Sequence, residues 1–110
     1  MDDSLLYIKF HASENGEILA MCDKDLIGKV LEDGNLFIDV KTYADFYAGD
    51  LVDKERAKEM IDEKDIYSAN VIGKESIAVA VEKRLISREN VLHIKSVPYA
   101  HAYTVNTPTE

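Results

Sequence analysis

Few residues in this chain have chemical reach: one cysteine, Cys22, three histidines, His11, His93 and His101, and two copies of Ile-Gly-Lys, at 27–29 and 72–74. A phosphate loop needs G-x-x-x-x-G-K-[ST], because the first glycine lets backbone amides curl around the phosphates and the last hydroxyl holds magnesium. In the second copy Ser68 stands at the first glycine position and Glu75 at the hydroxyl position; in the first copy these are Asp23 and Val30. A nucleotide-hydrolysing site is therefore not expected. A weaker anion site survives if Asn70, Gly73 and Lys74 open a helix, whose free amides attract negative charge. Plain capping and a tight loop-to-helix entry explain the same residues.

Cys22 ends a strand-like run, where a following helix would lower a thiol pKa, but Asp23 and Asp25 act the other way. Alternation places it with Ile18 and Ala20, which predicts a buried, inert thiol. His93 and His101 do not share the spacing of one helical face and no C-x-x-C occurs, so no metal site is expected. No pair of carboxylates is singled out for acid-base work. Tyr43, Phe46 and Tyr47 sit in an irregular stretch, where they either stack on a base or peptide or pin the loop to the core.

The elements that must position these residues follow from periodicity. Leu6, Ile8 and Phe10, then Ile18, Ala20 and Cys22, alternate on either side of Asn15-Gly16 and predict a β-hairpin. From Asp23, the spacing of Leu26, Ile27 and Val30 predicts a short helix capped by that aspartate. Leu36, Ile38 and Val40 give a third strand, and residues 42–52 declare no period. Asp53 caps a helix to about Lys64 with Ala57, Met60 and Ile61 inward, and 75–86 is read as helix from its alanines. Residues 91–95 form a fourth strand, and "AHAYTV" a fifth, edge-like one after Pro98. The order β-β-α-β-α-α-β-β predicts an α+β domain, a mostly antiparallel or mixed sheet with helices on one face. One compact domain spans 1–105, with a frayed tail at 106–110.

With 110 residues, 46% of them hydrophobic, the chain can bury a single core. There is no apolar run long enough for a membrane span and no basic segment leading into an apolar one, so a cytoplasmic protein is expected, and the lone cysteine agrees with a reducing compartment. The net charge is −8, unevenly placed: residues 1–65 hold 17 acidic and 8 basic side chains, residues 66–110 hold 4 and 5. Such a chain gains no counterion-release drive, so autonomous DNA binding is not expected. Any RNA contact belongs to the second half, where Lys74, Lys83, Arg84, Arg88 and Lys95 lie.

The segments "CDKDLIGK" (22–29), "DFYAGDLVD" (45–53), "ANVIGKESIAVAV" (69–81) and "VPYAHA" (97–102), in this order, resemble the archaeal family catalogued as domain of unknown function 424. The family pattern has Gly-Gly or similar after the aromatic pair and a His after the proline. Here Ala48 and Tyr99 stand in those places, so a role for the post-proline His passes to His101 or is lost. The resemblance implies an archaeal, cytosolic, stand-alone domain and supplies no activity.

The leading expectation is a non-catalytic interaction module that binds a protein or a protein–RNA assembly, without cofactor or metal. The alternative is a small enzyme, or a small-molecule or anion binder, with a loop-end site near Cys22, Asn70, Lys74 and His101. Its wider set of ligand-binding candidates adds Lys29, Tyr47, Gly49, Gly73 and Tyr99. A structural homo-oligomer is a third class, marked by an exposed apolar strand or helix face.

Overall fold

The hairpin predicted from alternation is present in the computed structural model, which describes residues 4–103. Strands β1 (Leu6–Ser13) and β2 (Gly16–Asp23) pair antiparallel along their whole length, from Leu6 opposite Asp23 to Ser13 opposite Gly16. The chain then leaves the sheet and returns as β6 (Ile66–Ile72), which lies parallel to β2 with Cys22 opposite Ile72. Strand β8 (Val97–Tyr103) follows antiparallel to β6, and β5 (Asp50–Val52) and β7 (Leu92–Ile94) close the two sides. The six-stranded order is β5-β1-β2-β6-β8-β7. The α+β class and the mixed sheet are thus as the sequence predicts.

Side chains alternate between the two sheet faces. One face carries Leu6, Ile8, Leu19, Met21, Ala69, Val71 and Ala100. Helices α2 (Lys54–Asp62) and α3 (Lys74–Glu82) cover it, inserting Ala57 and Ile61 from the first and Val79 and Ala80 from the second. The predicted cap of α2 is observed, with Arg56 N donating to Asp53 Oδ1 at 2.8 Å.

The other face is covered only in part, by the excursion between β2 and β6. Strands β3 (Val30–Asp33) and β4 (Leu36–Asp39) form a separate two-stranded ribbon, and α1 (Ala44–Tyr47) is a single turn over β1 and β2. Here Leu26, Val40, Ile38 and Tyr47 pack on Cys22, Ile72 and Tyr99 in a second, smaller cluster.

Two local expectations are corrected. The helix expected from Asp23 is only a 3-10 turn, Lys24–Leu26, with no side-chain cap of its own. Leu26 and Ile27 are still drawn inward, but Val30 starts the ribbon instead. The last strand is not an edge over its first half, because β7 pairs with residues 97–99. The expected frayed tail, 106–110, lies outside the described residues.

Candidate functional site

At the junction of β2 and α3 the Asp23 carboxylate is 5% exposed and takes three hydrogen bonds. Glu75 N donates to Oδ2 at 3.0 Å, and Ser76 N and Ser76 Oγ donate to Oδ1 at 2.8 Å each. The aspartate therefore caps a helix, but α3 rather than the turn that follows it in sequence. Gly73 makes room: its φ is +108°, and a Cβ there would stand 2.2 Å from Asp23 Cγ. Burial pushes the Asp23 carboxyl up from its ordinary value, against the pull of the donors from Glu75 and Ser76. An anion drawn to the α3 amides would meet a site already filled by the protein's own carboxylate. Ile72-Gly73-Lys74 is a strand-to-helix joint. Beside it runs a cleft of about 680 Å³ lined by Asp23–Leu26, Gly73, Lys74 and Ser96–Pro98.

Cys22 faces the opposite side of β2 from Asp23. It is fully buried, its Sγ donates to Asp23 O at 3.4 Å, and burial, reinforced by Asp23 and Asp25, pushes its thiol pKa up to about 12. Tyr47 packs on the same cluster, and its hydroxyl is pushed up to about 12 by burial and then by Cys22. A thiol in that state is neutral at physiological pH and is no nucleophile. Tyr99 belongs to this cluster as well. Lys29 lies at the ribbon's stem, its carbonyl accepting from Val40 N. Gly49 sits against β1, where a Cβ would come within 2.3 Å of Ile8 O. Asn70 and His101 do meet, directly opposite each other in the β6–β8 ladder. The candidates are thus dispersed: Cys22, Tyr47 and Tyr99 in the small core, Gly73 and Lys74 at the cleft, Asn70 and His101 on the strand pair, and Lys29 and Gly49 apart from all three.

That strand pair carries the most exposed chemistry. On the β1 side the sheet is occupied: His11 stacks on Phe46 with centroids 4.5 Å apart and 8° between planes, and His11 Nε2 lies 2.8 Å from Phe46 O. On the β6–β8 side His101 is exposed and Tyr103 is 59% exposed. A register shift between Ile66 and Ser68 leaves Tyr67 as an extra residue, and its ring meets Tyr103 edge-on at 5.3 Å. His101 lies 5.4 Å from the same tyrosine. Three rings and the Asn70 amide therefore share one open patch. Sequence reasoning did not single out Tyr67 or Tyr103. The alternation in His101-Ala102-Tyr103 signals one of them, whereas the place of Tyr67 depends on the bulge. Among the described residues no three His, Cys, Asp or Glu side chains gather as a metal site.

A family model described as "Protein of unknown function (DUF424)" matches residues 10–105, a span that includes the joint, the ribbon and the ring patch. The chain belongs to the DUF424 family. No curated protein matches this DUF424 chain. Among solved structures it is similar to an uncharacterized conserved protein from Methanopyrus kandleri, with a TM-score of 0.80, 21% identity and 96% of each chain covered. At that identity the likeness shows a shared fold and nothing about activity.

Proposed function

We propose that this DUF424 protein is a non-catalytic interaction module that docks on a protein–RNA assembly in the cytoplasm, using the open β6–β8 patch against unpaired bases. The observation that carries this reading is the cluster of exposed His101 and Tyr103 with half-buried Tyr67, on the strand pair beside Asn70. Base stacking on aromatic rings contributes roughly 1–3 kcal/mol per base and tolerates any sequence, while an amide offers both donors and an acceptor to a base edge. Charge supports a protein component in the target, because the acidic first part of the chain opposes free RNA. The buried, neutral Cys22 supports a binding role over covalent catalysis.

The test is an affinity pulldown from extract of the native host, with and without nuclease, comparing the unaltered protein with the double variant Tyr67→Ala/Tyr103→Ala. Recovery of an RNA-containing assembly that the nuclease and the double variant both reduce is the expected result. No partner above background under either condition would sink the reading.

A further inference from the structure

Among the described residues the β3–β4 ribbon pairs with no other strand, and its tip carries two apolar and two acidic side chains, one of each on either face. Leu36 and Phe37 are 45% and 59% exposed there, and they stand directly opposite Asp33 and Glu32. Against α3, on the sheet face that the helices cover, runs a groove of about 660 Å³ whose apolar floor includes Ile77, Val81, Val91 and Pro98. Lys74, Arg88 and His93 stand at its rim, and its one acid, Glu82, is bridged to Lys58 at 3.0 Å. No ion pair among the described residues involves Glu32, Asp33, Lys74 or Arg88. Tip and groove are complementary twice over, apolar to apolar and acid to base. Ile38 anchors the ribbon in the cluster on the face opposite α3, with β3 alongside β7 at the sheet edge.

We propose that the ribbon of one copy seats in the α3 groove of a second copy, Leu36 and Phe37 against Ile77 and Val81, with Glu32 and Asp33 facing Lys74 and Arg88. Reciprocal seating buries both apolar surfaces in a closed dimer. The ring patch of Tyr67, His101 and Tyr103 takes no part in it, so this association stands or falls apart from the RNA reading.

Sedimentation equilibrium across a concentration series tests it with two charge-reversed chains. Glu32→Lys/Asp33→Lys gives a basic tip facing a basic groove, and Lys74→Glu/Arg88→Glu gives an acidic groove facing an acidic tip. The unaltered protein is expected to sediment as a dimer, each altered chain alone as a monomer, and their equal mixture as a dimer again, since every tip then meets a groove of opposite sign. A monomeric unaltered protein, altered chains that keep the dimer mass, or a mixture that stays monomeric would each overturn the proposal. Circular dichroism checks that both chains are folded. If either is not, Phe37→Ser replaces it, with the same loss of dimer expected and a retained dimer counting against the proposal.

Discussion

Asp23 Oδ1 lies 2.8 Å from the amide of Ser76, a residue 53 positions further along the chain. The contact ties the end of β2 to the first turn of α3, and two other donors share the same carboxylate. Asp23→Ala leaves the Glu75 and Ser76 amides without their acceptor at a partly buried site. A loss of about 2–4 kcal/mol of unfolding free energy is expected, measured by urea denaturation.

Gly73→Ala is expected to destabilise by more than about 2 kcal/mol, through the strained φ of +108° and the collision with the Asp23 carboxylate. In the Asp23→Ala background the collision is gone and only the backbone strain remains. The double variant should therefore lose less than the two single losses added together. Simple additivity would mean that the two residues do not share the joint.

Alkaline pH should weaken the fold through Cys22 and Tyr47. Each acid is held protonated in the native state up to about 12, from ordinary values of 9.0 and 10.0. The unfolded chain therefore releases those protons first. The stability they contribute is fully present below the ordinary values and is lost as pH rises toward 12, by up to about 1.4 kcal/mol per pH unit for each group. Denaturation midpoints from pH 8 upward should fall, and Cys22→Ala should fall less steeply. Native Cys22 should also resist a thiol reagent that labels the urea-unfolded chain at once.

Gly49→Ala separates packing from ligand contact at a residue that the sequence marked as a candidate. A methyl there meets Ile8 O at 2.3 Å. A loss of about 1–3 kcal/mol with no change in partner recovery per folded molecule is expected, from thermal melts beside the pulldown.

Removing the exposed Tyr103 ring should do the reverse. Tyr103→Ala, at a site 59% exposed, should change unfolding free energy by no more than about 1 kcal/mol while reducing recovery of the RNA-containing assembly. Loss of stability without loss of recovery would assign the ring to packing.

Where local chemistry decided the structure, it was legible in the sequence. Asp53 caps α2 as its position implied, and Ala78, Val79 and Ala80 follow Gly73 into a helix. Asp23 shows the limit: its capping chemistry was readable, but its partner was set by the parallel pairing of β2 with β6. Strand β6 itself was not legible, because Ser68, Ala69 and Asn70 are small or polar residues in a strand flanked on both edges, where alternation fades. The candidate site was legible only in Asn70 and His101. Pairing across the sheet joins those two to rings that no spacing rule connects.

The long excursion between β2 and β6 also sets the tempo of assembly. The β1–β2 hairpin closes over two residues, but Cys22 cannot meet Ile72 until the ribbon, α1, β5 and α2 have been gathered into one loop. Closing that loop costs chain entropy before the β6 ladder and the Asp23 cap return anything. The hairpin therefore forms early and waits, its apolar face and its β2 edge uncovered, until the second half of the chain arrives. During that interval the newly made chain is most exposed to mispairing with a neighbour.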